Sequence, residues 1–350
     1  MSREIQIGPR WLTDTSDCFV IAEIGHNHQG DLEKARQLFK AASECGVDAV
    51  KLQKRDNRHL YTRALFDKPY ENENSFGTTY GQHREALEFG QAEYTALQQY
   101  ANELGLLMFA TAFDIPSADF LSALDMPAYK IASGDLTNLP LLKYVARLGR
   151  PMIVSTGGAS LTDVRRAAEA ILPINPQLCL LQCTAAYPAN HAELNLRVIE
   201  TYRHEFPDTV VGLSDHENGI AMSVAAYVLG ARVIEKHFTL NHTWKGTDQA
   251  FSLEPIGMRK LVRDLRRLHE ALGDGIKRPL ASEASPLLKM SKKLVAARDL
   301  TAGHVLTEAD IACKSPGDGL PPYELERVLG RALPRALHQD ENIPVELLER

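Results

Sequence analysis

The stretch from Val210 to Pro255, VVGLSDHENGIAMSVAAYVLGARVIEKHFTLNHTWKGTDQAFSLEP, decides how this chain is read. An apolar run, Val210 to Leu213, ends in Ser214, Asp215 and His216; a helical segment follows, and a second run, Val233 to Ile234, ends in Glu235, Lys236 and His237. Two consecutive strand-helix units therefore end in histidine. If the strands are parallel neighbours, both imidazoles project from one rim of a sheet, as a two-histidine metal site requires. A lone histidine at a strand end more often satisfies a local hydrogen bond and nothing else. The repetition, with Asp248 close behind, moves the weight towards metal or acid-base chemistry.

Outward from this stretch the same unit recurs. The runs are FVIAEIG (Phe19 to Gly25), AVKLQ (Ala49 to Gln53), LMFATAF from Leu107, AYKIASG from Ala128, PMIVSTGG from Pro151 and LCLLQCT from Leu178. With the two opening runs they make eight strands. Helical segments lie between them. Asp31 caps one whose apolar positions are Leu32, Ala35, Leu38, Phe39, Ala42 and Cys45; Ser160 and Asp163 form a capping box for Ser160 to Leu172; Ile220 to Leu229 and a closing Ile256 to Leu272 follow. Eight alternating units over about 250 residues predict an α/β fold, the (β/α)8 TIM barrel. A doubly wound open sheet is the competing architecture, but no G-x-G-x-x-G follows the first strand. Glu4 to Leu12 reads as a short hairpin. The long insertion Lys54 to Gly90 follows the second strand, on the face where long loops serve an active site.

The polar residues at the strand ends carry the chemistry. They are Glu23, Lys51 with Gln53, Thr111, Lys130 with Ser133 and Asp135, Ser155, Thr184 with Tyr187, Ser214 with His216, and Glu235 with His237. In a barrel all of these line one mouth. Two lysines inside apolar strands are poor candidates for surface residues, and the set would cost several kcal/mol, on the order of 2–7 for each unsatisfied group, unless ligands satisfied it. A polyanionic substrate with a divalent metal would balance it.

Composition excludes other classes. The 350 residues are 44% hydrophobic and 24% charged, with a net charge of −6 and no Lys/Arg cluster interleaved with aromatics. Nucleic acid is therefore not an expected partner. MSREIQIGPR lacks the apolar core of a signal peptide, and the run Ser223 to Gly230 is broken by Arg232 well short of a membrane span, so a cytoplasmic protein without membrane association is expected. The five scattered cysteines read as buried thiols. Three segments are predicted: a barrel over 1–276, a linker over 277–293 with Pro279 and Pro286, and a small unit over 294–350 with short apolar runs (LVAA, HVLT) and helical hints at Glu308 to Ile311, Tyr323 to Leu329 and Val345 to Leu348.

At AEIGHNHQGDLEKA, VKLQK, YKIASGDLTN, STGG, LQCTAAYP, GLSDHENGIAMSVAAYVLGA, EKHFTL and TWKGTDQAFSLEP the chain resembles the sialic acid synthase family over nearly its whole length, its animal N-acetylneuraminate-9-phosphate synthase branch more closely than its bacterial one. The last unit resembles the family's antifreeze-like (SAF, β-clip) domain. The resemblance implies condensation of phosphoenolpyruvate with an N-acylmannosamine or its 6-phosphate, with release of inorganic phosphate. It implies that His216 and His237 hold Mn2+ or Mg2+, with Glu235 beside the metal. Lys51, Lys130, Ser133, Ser155, Ser214 and Thr111 match positions for phosphoenolpyruvate, and Gln53, Asn74 and Tyr187 for the sugar. Glu23, Asp135 and Asp248 match catalytic carboxylates, whereas His26 and His28 are expected to order their loop. The implied assembly is a homodimer with exchanged terminal domains. Asp135 stands where bacterial members carry glutamate, and Lys314, Ser315, Pro316 and Gly317 replace the bacterial KRPG, which removes an arginine from the sugar end.

The insertion carries Lys54, Arg55, Arg63, His83 and Arg84, which suits a 6-phosphate, but also Asp56, Asp67, Glu71, Glu73, Glu85 and Glu88, which suit a solvated loop. Other acceptors, such as mannose 6-phosphate or a legionaminic-type precursor, fit the same chemistry. A two-histidine metallohydrolase would leave the lysines without purpose. A non-catalytic carbohydrate-binding protein would have no need of Glu23, Lys51, Lys130, His216, His237 and Asp248 together.

Overall fold

The computed structural model describes residues 3 to 348 and divides into two compact units, the first ending at Gly273 and the second beginning at Asp274. In the first, strands β1 (Glu4–Ile7) and β2 (Arg10–Thr13) pair antiparallel as the expected hairpin. Eight parallel strands then close a barrel: β3 (Phe19–Gly25), β4 (Ala49–Lys54), β5 (Leu107–Ala112), β6 (Tyr129–Ile131), β7 (Met152–Ser155), β8 (Leu178–Cys183), β9 (Val210–Asp215) and β10 (Val233–His237), with β10 against β3. The TIM barrel expected from the sequence is present.

Alternation along each strand decides what faces inward. Phe19, Ile21, Phe109, Ile153, Leu181, Val210 and Val233 fill the lower interior, where Ile5, Ile7 and Leu12 of the hairpin pack against them and plug that end. Two or four residues further along, the same faces carry Glu23, Lys51, Thr111, Lys130, Ser155, Ser214 and Glu235, all buried. A hydrophobic floor thus supports a polar upper layer. The opposite faces of the strands meet the helices in a second, larger core that includes Val20, Ala22, Leu38, Phe39, Val154, Ile234 and Leu265.

Local signals explain the helices. Asp31 caps Leu32–Cys45 by accepting from Lys34 N, and Gly46 ends it in the left-handed region. Ser160 and Asp163 form the capping box of Leu161–Ile171, and Pro255–Leu272 closes the barrel. The insertion folds into three short helical segments, Asn57–Leu60, Arg63–Phe66 and Tyr80–Glu85, capped by Asp56, Thr62 and Thr79. No helix among the described residues is long and apolar enough to cross a membrane.

In the second unit, β11 (Lys293–Ala296) and β12 (Ile311–Lys314) pair antiparallel over a core of Leu294, Leu300, Leu306, Leu320, Val328, Leu333, Leu337, Ile343 and Leu347. The stretch read as a linker is in part helical, over Ala281–Glu283 and Ala284–Met290, and Gly317 N donates to Leu288 O within the unit. Strand β12 begins where a helical hint was expected to end. Lys314 is engaged inside its own unit, paired with Asp340.

Candidate active site

The upper layer of the barrel opens into a cavity of about 600 Å³. At its base Lys51 Nζ lies 2.7 Å from Glu23 Oε2, donates to Thr111 Oγ1 at 2.8 Å and stands 3.7 Å from Glu235 Oε2. Lys130 Nζ donates to Ser155 Oγ at 2.6 Å and to the Ile131 carbonyl at 2.8 Å, and lies 3.8 Å from Glu235 Oε1. Glu235 therefore sits between the two lysines, with Ser214 Oγ donating to it at 3.1 Å. Burial works against its ionisation, but Lys130 and Lys51 together hold it below the usual carboxylate range. Glu23 behaves differently. Burial pushes its carboxyl up to about 7, although Lys51 and the Gln53 amide, which donates at 2.6 Å, favour the anion.

Gly25 has a practical role at this point. It ends β3 at a φ of 51°, and a Cβ there would lie 3.1 Å from Glu23 Oε1 and Gln53 Nε2, so a side chain would crowd the carboxylate.

Around the base stand the remaining candidates. His216 and His237 meet edge to face with ring centroids 5.3 Å apart, and Tyr187 lies over His216 at 4.2 Å. His216 Nδ1 donates to the Thr184 carbonyl at 2.9 Å, which leaves Nε2 for a ligand. His237 Nδ1 is buried without a hydrogen-bond partner, 3.6 Å from Asp248 Oδ2, and burial pushes the imidazole down to about 3. Burial keeps His237 neutral; at His216 burial also opposes charge, but Cys183 and the Thr184 carbonyl raise the imidazole above its usual value, so that proton would be displaced on metal binding. The open Nε2 of His216 with the partnerless Nδ1 of His237 is the donor pair that fits the expected ion. Among the described residues no group of three His, Cys, Asp or Glu side chains is arranged to hold one, which leaves further coordination to water and substrate. Asp248 accepts from Thr247 Oγ1 at 2.8 Å; burial opposes its charge, but His237 and Thr247 keep its pKa low. Asp135 lines the cavity near Arg55, and burial pushes it up to about 6. Ser133 Oγ accepts from Gly157 N at 2.9 Å.

Of the residues anticipated from the sequence, Glu23, Lys51, Gln53, Thr111, Lys130, Ser133, Asp135, Ser155, Tyr187, Ser214, His216, Glu235, His237 and Asp248 all line this cavity. Asn74 does not. Its Oδ1 accepts from Gly246 N at 2.9 Å, so it braces the loop that carries Asp248. Thr184 turns away, because it follows inward-facing Cys183 by one residue, and its hydroxyl bonds the Glu193 carbonyl beside a neighbouring pocket. The cavity also gains residues the strand ends did not mark as wall: Arg55, Leu60, Tyr61, Tyr80 and Arg84 from the insertion, and Phe113 just beyond β5. Arg55 and Arg84 were visible as basic residues; the aromatic ones gave no comparable signal. His28 stacks on Phe89 at 4.1 Å and accepts from Gly30 N, as a loop-ordering residue should.

Residues 38–277 match the NeuB family and residues 293–348 the SAF domain. The chain is 40% identical to N-acetylneuraminate-9-phosphate synthase of Homo sapiens, covering all of this chain and 98% of that protein. It is 36% identical to N,N'-diacetyllegionaminic acid synthase of Legionella pneumophila over 90% of each. Among solved structures, the N-acetylneuraminic acid synthetase of Leptospira borgpetersenii, in complex with citrate, superposes with a TM-score of 0.71 at 32% identity, over 82% of this chain and 96% of that one. With a family match across most of the barrel, a terminal SAF domain and full-length relatives of this kind, the chain belongs to the NeuB family of sialic acid synthases, enzymes of the condensing transferase type.

Proposed function

We propose that the chain condenses phosphoenolpyruvate with N-acetylmannosamine or its 6-phosphate, giving N-acetylneuraminate or its 9-phosphate and inorganic phosphate. The observation that carries this reading is the pair of buried lysines, Lys51 and Lys130, held side by side with Thr111, Ser155 and Ser214 at the base of the cavity. Fixed ammonium groups and hydroxyls in a water-poor site suit a small, highly charged phosphate and carboxylate ester. The relatives' names supply the acceptor class.

In this reading Lys51, Lys130, Thr111, Ser133, Ser155 and Ser214 bind the carboxylate and phosphate of phosphoenolpyruvate. Its C3 attacks the aldehyde carbon of the open-chain sugar, and the aldehyde oxygen takes up a proton from water; Asp248, held as a carboxylate, relays protons to and from the sugar oxygens rather than supplying one of its own. Positive charge develops at C2, where Glu23 stabilises it. Water, oriented by Asp135, adds to C2 and gives one proton to that carboxylate; the C2–O bond to phosphate then breaks, the remaining hydroxyl proton leaves with the phosphate, and the keto acid is left. His216 and His237 would hold Mn2+ or Mg2+, which would polarise the aldehyde as a Lewis acid. Gln53 and Tyr187 contact the sugar. The working form is a cytoplasmic homodimer with exchanged terminal units, as the family resemblance implies; truncation after Gly273 should lower activity and disturb the dimer, and a fully active monomer would refute the exchange.

The test is phosphate release from phosphoenolpyruvate with Mn2+, run with N-acetylmannosamine, N-acetylmannosamine 6-phosphate and mannose 6-phosphate, before and after chelation. Metal-dependent release with an N-acetylated acceptor supports the proposal. Release with mannose 6-phosphate alone would replace the acceptor, and none with any of the three would reject the reading.

A further inference from the structure

The wall that the insertion contributes holds a cation that no carboxylate among the described residues contacts directly. Arg55 and Arg84 both reach the cavity, and both guanidinium groups are directed at His26: Arg55 Nη1 lies 3.1 Å from Nε2, and Arg84 Nη1 lies 3.4 Å from Nδ1. Burial, with the two arginines, holds this imidazole well below its usual pKa, so the ring is neutral. A neutral imidazole has one lone pair and one N–H. In either tautomer, then, one of the two guanidinium donors faces a ring N–H and has no acceptor there.

Arg55 has other partners. Its Nη2 donates to Gln53 Oε1 at 2.7 Å, its plane lies 3.7 Å over the Phe113 ring, and Glu88 Oε1 is 3.9 Å away. Arg84 has fewer. Its Nε and Nη2 both donate to the Tyr80 hydroxyl, at 3.1 and 3.0 Å, and no carboxylate lies within ion-pairing distance of it among the described residues. Glu88 is already shared by Lys54 at 3.2 Å and Arg55, and Asp248 lies against His237. Burial opposes the charge of both guanidinium groups; at Arg84 the two tyrosines and the more distant Asp248 outweigh it and keep the group charged, yet no carboxylate contacts it, so an anion in the cavity would complete its hydrogen bonds.

We propose that Arg84, supported by Arg55, is the specificity determinant for a phosphorylated acceptor: together they form a second anion subsite, separate from the Lys51–Lys130 pair, that takes the phosphate monoester of the sugar. The inference rests on the condensation reading for the identity of the sugar, but not for the existence of the subsite. A planar guanidinium whose Nη1 has only a 3.4 Å contact with an imidazole that Arg55 also approaches suits phosphate oxygens, and the Tyr80 hydroxyl, on a ring that meets Tyr61 edge to face at 5.1 Å, fixes its Nε and Nη2.

The test compares native protein with Arg84→Gln, using the full chain. Calorimetric binding of N-acetylmannosamine 6-phosphate and of N-acetylmannosamine is measured beside phosphate release with each. Arg63→Gln, on the same insertion with a side chain 96% exposed, is the control. The expected result is tighter binding of the phosphorylated sugar by the native chain, a preference that Arg84→Gln reduces roughly tenfold to a hundredfold, as loss of hydrogen bonds to a charged group does. Arg84→Lys should recover part of it and Arg63→Gln should keep it. An unchanged preference in Arg84→Gln, or an effect on the KM for phosphoenolpyruvate alone, would overturn the inference. If no sugar supports phosphate release but the binding preference is present and falls in Arg84→Gln, the condensation reading fails and the subsite stands.

Discussion

Glu23 and Lys51 are register partners on adjacent strands of the barrel, and their side chains meet inside it, with Lys51 Nζ 2.7 Å from Glu23 Oε2. Both side chains are at most 3% exposed, so each is the other's principal electrostatic partner until substrate arrives. Removing one partner of such a buried pair typically costs about 3–5 kcal/mol, because the survivor is left charged in a poor solvent. Lys51→Met should therefore destabilise the barrel by that order and, in the proposed reaction, raise the KM for phosphoenolpyruvate at least tenfold, as loss of a charged hydrogen bond does. The double variant Glu23→Gln with Lys51→Met should regain most of the stability and none of the activity. Thermal unfolding and phosphate-release kinetics on the native protein and the two variants check this; recovery of turnover in the double variant would remove both residues from the chemistry.

Asp135 predicts a pH dependence. Burial pushes its carboxyl from an ordinary 3.8 up to about 6. If it must be ionised to orient water, kcat/KM should rise with pH through about 6, and Asp135→Asn should lose that limb along with most of the rate. Glu23, pushed up to about 7, titrates just above, so the variant is needed to separate the two. Stability runs the other way: the folded chain holds the Asp135 proton more tightly than the unfolded one, so its contribution is fully present below 3.8 and is lost as pH rises through about 6. Unfolding midpoints between pH 4 and 7 should fall less steeply in Asp135→Asn. An unaltered acid limb in the variant would exclude Asp135 from the step.

The histidine pair predicts metal dependence. His237 has a buried Nδ1 without a partner, and His216 is oriented through the Thr184 carbonyl. Chelation should abolish phosphate release, and Mn2+ or Mg2+ should restore it. His237→Ala should not be rescued by added metal and should weaken Mn2+ binding, followed by electron paramagnetic resonance of the free ion, by at least tenfold, the lower bound for losing even an outer-sphere partner. Native-like Mn2+ titration by the variant would place the metal elsewhere.

The barrel and most of its mouth were legible because strand alternation does the sorting. Once Phe19 and Ile21 face inward, Glu23 must follow; Val233 fixes Glu235 and His237 in the same way. The same rule explains Thr184, one residue past inward-facing Cys183 and therefore turned outward. The insertion was less legible. Helical segments of four to six residues, such as Arg63–Phe66 and Tyr80–Glu85, are too short to print a periodicity, and their apolar anchor Phe66 sits among charged neighbours. Which of its basic residues faced the cavity depended on tertiary contacts: Arg84 turns in against Tyr80, whereas Arg63 stays in solvent. Strand β12, only partly buried, gave no alternating pattern.

The second unit has its own polar keystone, and it supports a prediction independent of catalysis. Asp310 is fully buried and accepts five hydrogen bonds: from Arg298 Nε and Nη2 at 3.1 and 2.7 Å, His304 Nε2 at 2.9 Å, and Thr307 N and Oγ1 at 2.9 and 2.6 Å. Thr307 and His304, then Arg298, hold its carboxyl well below the usual range. A carboxylate lowered in the folded state contributes stability above its ordinary pKa of 3.8, and that contribution is lost as pH falls towards the folded value. Asp310→Asn removes the charge and puts an NH2 group in place of one of the two accepting oxygens, so donors face donors there and amides of Leu294, Leu306 and Leu333 should exchange faster at neutral pH by on the order of tenfold or more. Acidification below about pH 4 should then cost the variant less than the native unit, because it has no carboxylate to protonate. Equal amide protection in the two proteins at neutral pH would show that the unit does not depend on this carboxylate.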